Sequence, residues 1–186
     1  MNARRGWLMS KLETFWSGKF GNDYTKRIDT ESAIENNIAM FADIMGRTRG
    51  VETILELGCN KGLNLAALEY LDPSTLKTGI DINESSLDEL SSMFYKKGLD
   101  QPDVYHNSIL DFQACGTFDF VFTKGVLIHI DPVDLPRVYD KIYELSNRYI
   151  MIAEYFSPKP VEVEYRGEKG VLFKRDFASE LIQRFK

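Results

Sequence analysis

Two glycines and a carboxylate follow an apolar segment at a point where a sheet protein can bind a small molecule. Gly58 and Gly62 come directly after the apolar run 53–57 with the spacing G-x-x-x-G, and Glu56 precedes the first of them. Glycines at such a turn let a ligand approach the backbone closely. A pyrophosphate cofactor prefers G-x-G-x-x-G, and an acid beside it would repel the phosphates. The pattern instead suits a ligand with an ammonium group.

A further carboxylate, Asp81, lies near the end of the next apolar run, 76–82. An acid at the tip of a neighbouring strand can accept hydrogen bonds from both hydroxyls of a ribose. An ammonium group and a ribose at adjacent strand tips together describe S-adenosylmethionine (SAM). A nicotinamide dinucleotide is the alternative ligand for the same fold, and the glycine spacing disfavours it.

These residues need a sheet to position them, and short apolar runs alternate with segments of helical periodicity along the chain. An α/β fold with a doubly wound, mostly parallel sheet is typical of this alternation. Ahead of the sheet we predict a helix that is capped by Asp29 or Thr30 and ends at Gly46. The helix after the fourth strand is expected to begin at Asp131-Pro132. The predicted strands cover residues 53–57, 76–82, 103–108, 118–123 and 149–155.

Residues 157–186 follow a different pattern. The segments 161–165 and 171–174 flank a loop with glycines, which predicts an antiparallel hairpin, and a short helix is expected from about Asp176. We therefore divide the chain, as one domain, into three parts. They are an N-terminal helical cap (1–49), a SAM-binding α/β core (50–156) and a hairpin with a short helix (157–186).

The amino-acid composition limits the classes of binding partner that we expect. The 186 residues fit one domain, and 23 basic against 28 acidic side chains give a net charge of −5, so a nucleic-acid partner is not expected. Cys59 and Cys115 show neither disulfide nor metal spacing, and no apolar run is long enough to cross a membrane. We expect a cytoplasmic protein with a small-molecule substrate, no bound metal, no nucleic acid and no membrane partner.

The motifs in their order resemble those of class I SAM-dependent methyltransferases, a Rossmann-like family, over residues 50–156. The resemblance is carried by Glu56-x-Gly58-x-x-x-Gly62, by Asp81, and by the segments 108–111, 118–121 and 127–129. It implies that the glycines admit the methionine part of SAM and that Asp81 binds the ribose. The remaining implied cofactor residues are Cys59, Asn60, Ile82, Asn83, Ser108, Ile109 and Lys124.

The aromatic segment 15–27 contributes two more candidates. Tyr24 and Arg27 lie where they could reach the SAM carboxylate, although such a segment also suits a helix that packs on the core. Together with the segments 56–65, 150–158 and 165–176, it resembles the methylases associated with pseudaminic acid biosynthesis. That resemblance implies an acceptor that is a sugar or sugar nucleotide of nonulosonic acid or surface glycan biosynthesis. The substrate-binding residues would be Tyr155, Arg166, Lys174 and Arg175.

Two departures from these families are visible. Ile28 stands where the family has asparagine, and the sequence reaches Lys186 without the antiparallel strand pair that usually completes the sheet. Either the hairpin takes the sheet edge beside the fifth strand, or that edge is open and a second copy of the chain covers it as a homodimer.

Methyl transfer to a protonated nucleophile is helped by a base. His129, after the fourth strand, and Glu154, at the tip of the fifth, are the candidates. His129 could equally cap a helix or satisfy a buried carbonyl. The alternative function is a SAM-binding regulatory or partner-binding module without turnover.

Overall fold

A five-stranded parallel sheet lies at the centre of the structure, a computed structural model that describes residues 9–186. Its strands are β1 (Thr53–Leu57), β2 (Leu76–Asp81), β3 (Asp103–His106), β4 (Phe118–Lys124) and β5 (Ser146–Ala153). The helices are α1 (Lys11–Ser17), α2 (Lys19–Arg27), α3 (Thr30–Arg47), α4 (Leu63–Leu71), α5 (Glu84–Lys97), α6 (Leu135–Leu145) and α7 (Phe177–Arg184). A 3-10 helix spans Leu127–His129, and a small second sheet pairs β6 (Val161–Glu162) with β7 (Phe173–Lys174).

The order of the strands is β3-β2-β1-β4-β5, and all four neighbouring pairs are parallel. The predicted fold class is therefore confirmed. The direction of strand addition reverses between β1 and β4, and ligands of open α/β sheets bind outside the carboxyl ends of the strands at such a point.

Both faces of the sheet are covered, because its central strands are apolar on both sides. Phe41 of α3 and Leu68 of α4 pack on one face against Phe120 and Phe122 of β4. On the other face, α6 and α7 pack against side chains that include Val121. The middle of the sheet is thus buried and closely packed, and it supports the loops at its carboxyl edge.

Several predicted boundaries were wrong. Helix α3 runs past Gly46, and the backbone N–H of Thr48 closes its last turn. Asp131-Pro132 forms a turn before α6, whose N-cap is Asp134. Strand β5 follows α6 without a connection, beginning at Ser146 because that residue already pairs with Phe118.

The predicted hairpin is confirmed as an antiparallel pair, with Val161 opposite Lys174. It forms its own sheet, however, and among residues 9–186 no strand pairs with the outer edge of β5. The alternative in which the hairpin takes that edge is therefore wrong. The hairpin instead packs against the 3-10 helix, and the Val171 carbonyl is hydrogen-bonded to the His129 ring.

Candidate active site

A cavity of about 300 Å³ lies at the carboxyl ends of β1, β2 and β4. The loops after these strands and after β3 form its floor, and α1 and α2 contribute its outer wall. Many residues predicted from the sequence line it, namely Tyr24, Gly58, Cys59, Asn60, Asp81, Ile82, Asn83, Ser108, Ile109, Lys124 and His129. Other predicted residues are not among its lining side chains, namely Arg27, Glu56, Gly62, Glu154, Tyr155, Arg166, Lys174 and Arg175.

The two glycines of the β1–α4 loop have left-handed backbone conformations, with φ of +81° at Gly58 and +73° at Gly62. A Cβ at Gly58 would lie 2.5 Å from the side chain of Val126, and one at Gly62 would lie 2.6 Å from Leu90. The glycines are therefore required by the backbone and by close packing. Cys59 between them is buried, and burial raises the pKa of its thiol.

The half-buried carboxylate of Asp81 is fixed by the backbone. It accepts hydrogen bonds from the N–H groups of Asn60 (2.7 Å) and Asn83 (2.8 Å). Burial nevertheless raises the pKa of Asp81 above its usual range. The backbone N–H of Ile82 also acts on this carboxylate. A carboxylate has about four lone-pair positions, so it can still accept from a ligand hydroxyl.

The side chain of Asn83 is committed to the protein itself. Its oxygen accepts from the Ser86 N–H and so caps α5, while its amide N–H group donates to the Trp16 carbonyl and to Asn22. Asn83 thereby joins α1 and α2 to the tip of β2, and it borders the cavity mainly as a structural support.

Glu56 is buried directly behind the cavity wall. One of its oxygens accepts from the Asn64 amide, and the other has no hydrogen-bond partner in the described part of the chain. Burial raises the pKa of Glu56 to about 8, only partly opposed by the bond from Asn64 and by the charge of Lys124. A cation bound beside Asn64 would favour the ionised form of this carboxyl.

His129 ends the 3-10 helix and faces the cavity. Its Nδ1 lies 2.7 Å from the Val171 carbonyl, which can only accept, so Nδ1 carries the proton and the Nε2 lone pair is available. Burial lowers the pKa of His129 to about 4, which keeps the imidazole neutral at pH 7. The ring of Trp16 lies 4.2 Å away between centroids, and its Nε1 is buried without a partner among residues 9–186.

Glu154 supports this arrangement from behind. Its carboxylate accepts from the backbone N–H groups of Val126 (2.9 Å), Leu127 (3.1 Å) and Ile128 (3.4 Å). It holds the 3-10 helix that carries His129, and burial raises its pKa. This placement favours a positioning role over the predicted role as a base.

The predicted substrate-binding residues lie outside the cavity lining; Tyr155 and Arg166 are exposed, and Lys174 and Arg175 are half-buried. Arg166 lies over the Tyr165 ring, whose centroid is 5.6 Å from that of His129. Lys174 lies over the ring of Tyr155, whereas Arg175 is paired with Glu180 at 2.7 Å. Arg27 is exposed and donates to the Asp23 carbonyl.

Polar bonds join the N-terminal helices to the cavity loops. The Asn60 amide donates to Thr25 (2.9 Å), and the buried Lys61 ammonium donates to the Ile28 carbonyl (3.0 Å) and the Thr30 hydroxyl (3.1 Å). The sequence analysis named Asn60 but missed Thr25 and Lys61, because such bonds connect segments far apart in the chain. It also missed Glu13, although the pattern Ser-x-x-Glu at residues 10–13 is a capping-box signal.

Residues 9–186 contain no cluster of three or more His, Cys, Asp or Glu side chains arranged to hold a metal ion. Over the same range, none of the helices has the length and apolar character needed to cross a membrane.

Residues 54–148 match the family model described as a methyltransferase domain. A stretch of 96 residues, 51% of this chain, is 33% identical to an uncharacterized protein of Rickettsia prowazekii (strain Madrid E), and this chain covers only 17% of that protein's length.

Solved structures of similar fold include two bacterial proteins. Magnesium protoporphyrin IX methyltransferase from Synechocystis PCC 6803, with bound SAM, aligns with a TM-score of 0.62 at 15% identity, over 90% of this chain and 97% of that one. TehB from Haemophilus influenzae aligns with a TM-score of 0.61 at 20% identity, over 93% and 55% of the two chains. At these identities the likeness extends to the fold.

Proposed function

The chain belongs to the methyltransferase domain family, and we propose that it transfers a methyl group from SAM to a small polar acceptor. The observation that carries the proposal is that one cavity brings together the β1–α4 glycine loop, the Asp81 carboxylate and the His129 imidazole. The volume of this cavity is at the lower end of the range for small-molecule sites.

The polar groups of the cavity fit SAM. Asp81 keeps acceptor capacity for a ribose hydroxyl, and Ser108 and Ile109 lie at the neighbouring strand end for the adenine. The unpartnered oxygen of Glu56 is buried behind Asn64, where it would stabilise an ammonium group. When bound, SAM supplies a methyl group on a positively charged sulfonium, which is a good leaving group.

The side chains have two tasks in such a transfer, orienting the acceptor and removing its proton. His129 accepts the proton at Nε2, because its Nδ1 proton is held by Val171 and its low pKa leaves Nε2 free at pH 7. Glu154 keeps the 3-10 helix in place and so fixes the ring. Trp16 limits the space beside the imidazole.

We propose a sugar or sugar nucleotide of the nonulosonic acid type as the acceptor. The resemblance of residues 15–27, 56–65, 150–158 and 165–176 to the pseudaminic acid-associated methylases supports this choice. Asp131 and Asp134 line the cavity on the side of His129, and carboxylates there can accept hydrogen bonds from sugar hydroxyls. Arg166 lies over the ring of Tyr165, which neighbours His129, and its guanidinium group can pair with an acidic group of the sugar.

The test has two steps. Calorimetric titration should show binding of SAM and of its demethylated product S-adenosylhomocysteine (SAH), and Asp81→Asn should weaken both because one acceptor for the ribose becomes an amide donor. Incubation with SAM and a panel of sugar acids and sugar nucleotides should then release SAH. Binding without release across the panel would favour the non-catalytic SAM-binding module, and no binding of either ligand would refute the proposed function.

A further inference from the structure

We infer that Glu13 of α1 recognises the exocyclic amine of the adenine of SAM. Helix α1 lies outside residues 54–148, so the N-terminal helices would form part of the cofactor site rather than only covering it. The inference rests on the proposed function, because it takes the cavity to be the SAM site.

The carboxylate of Glu13 is held at the cavity by bonds from both sides. The Ser108 hydroxyl donates to one oxygen, and the backbone N–H of Ser10 donates to the other at 2.8 Å. The Ser10 hydroxyl accepts in return from the Glu13 N–H at 3.1 Å, which closes the capping box of α1. Glu13, Ser10 and Ser108 all line the cavity.

This end of the cavity is next to the predicted ribose site. Ser108 follows β3, which pairs with β2, and Asp81 stands at the tip of β2. A base attached to a ribose at Asp81 would therefore reach Ser108. Apolar side chains next to these polar residues also line the cavity and suit the faces of a flat ring, namely Leu12, Ile82, Ile109 and Leu110.

The polar atoms at this end are mostly hydrogen-bond acceptors. The Glu13 carboxylate has about four lone-pair positions and uses two of them, so two remain. Asn107 also lines the cavity, and its side-chain oxygen is buried without a partner in the described part of the chain. A buried acceptor is stabilised by a donor, and the exocyclic amine of adenine offers two N–H groups.

Asp111 is the carboxylate nearest to Ser108 in sequence, but it does not serve this purpose. It is exposed and is not among the lining residues, and only its backbone N–H contacts Ser108, through the Ser108 carbonyl. Glu13 is therefore the carboxylate that the fold brings to this serine.

The experiment compares two ligands in calorimetric titrations, SAH and its 6-deamino analogue, in which hydrogen replaces the exocyclic amine. The wild-type protein should bind SAH at least about tenfold more tightly, the effect of one hydrogen bond to a charged group. Glu13→Gln should weaken SAH and bring the ratio of the two dissociation constants close to one, because its single side-chain oxygen must already serve Ser10 and Ser108. Glu35→Gln, an exposed position on α3, is the matched control and should retain the wild-type ratio.

Each outcome decides between specific alternatives. Equal affinity of the wild-type protein for the two ligands would overturn the inference, and this comparison holds even where Glu13→Gln fails to fold. A folded Glu13→Gln protein, checked by circular dichroism, that keeps the wild-type ratio would overturn it as well. Absence of SAH binding to the wild-type protein would instead contradict the proposed function and leave no cofactor site for Glu13 to serve.

Discussion

Replacing Gly62 with alanine tests whether close packing, as well as the left-handed backbone conformation, requires a glycine at this position. Gly62 has φ of +73°, and a Cβ there would lie 2.6 Å from both Cγ and Cδ1 of the fully buried Leu90. Gly98 has nearly the same backbone conformation, with φ of +66°, but a Cβ there meets nothing within 4 Å. Gly98→Ala is therefore a control for backbone strain alone.

The magnitudes follow from two separate costs. A left-handed conformation costs an alanine about 1–2 kcal/mol, offset by about 0.4–1 kcal/mol of reduced entropy in the unfolded chain. Overpacking adds about 1–3 kcal/mol where a side chain meets a buried neighbour. We expect Gly98→Ala to lower the free energy of unfolding by about 1 kcal/mol and Gly62→Ala to lower it by about 2–4 kcal/mol.

Urea unfolding followed by circular dichroism measures both variants. A cycle with Leu90→Ala identifies the contact, because shortening that side chain makes room for the new methyl group. The coupling free energy between Gly62→Ala and Leu90→Ala should be about 1–3 kcal/mol. Equal losses for Gly62→Ala and Gly98→Ala, or a coupling near zero, would refute the packing argument.

Four further predictions concern charge, catalysis and assembly. Burial raises the pKa of Glu56 from 4.5 to about 8, so the folded state holds this proton more tightly than the unfolded state. The free energy of unfolding should therefore fall as the pH rises from 4.5 to about 8. Glu56→Gln should make this dependence of the free energy of unfolding on pH less steep. Parallel pH profiles of the two proteins in urea unfolding would contradict this. Because burial lowers the pKa of His129 to about 4, the rate of methyl transfer should not fall near pH 6.5. His129→Ala should lower turnover by about 10²–10⁴ and leave the affinity for SAM unchanged. A rate that falls below pH 6.5 only when His129 is present would contradict the lowered pKa. Glu154→Ala leaves three backbone N–H groups without their acceptor and should lower the free energy of unfolding by on the order of 2–3 kcal/mol in thermal unfolding. The control Glu162→Ala, on the exposed hairpin, should lower it by less than about 1 kcal/mol. Similar losses for the two variants would exclude the supporting role of Glu154. The outer edge of β5 is unpaired within residues 9–186, so we expect a homodimer through this edge in sedimentation analysis, and a monomer at all concentrations would rule that out.

The fold could be predicted because burial on both sheet faces makes the central parallel strands short apolar runs. In β4, Phe120 and Phe122 are buried on one face and Val121 is buried on the other. Boundaries depend on pairing instead, which is not a local property. Ser146 belongs to β5 because Phe118 lies opposite, and nothing in the sequence around Ser146 shows that neighbour.

The sequence could predict that the candidate residues cluster only where this follows from the positions of the strand tips. Asp81 and Ser108 meet at one edge because parallel strands bring their carboxyl ends together. The sequence could not distinguish Glu154, whose carboxylate faces backbone N–H groups, from a carboxylate that faces a substrate. Glu13 was missed for a related reason, since its contact with Ser108 joins residues 95 positions apart in the chain.

The bonds that Asn60 and Lys61 make to Thr25, Ile28 and Thr30 place the glycine loop and the N-terminal helices in one energetic unit. Coupling between two equilibria is reciprocal. If docking of the helices raises the affinity for a ligand by some factor, a bound ligand raises the equilibrium constant for docking of the helices by the same factor. The stability of these helices is thus set partly by ligand concentration, and hydrogen exchange at their backbone amides would slow as the cavity fills.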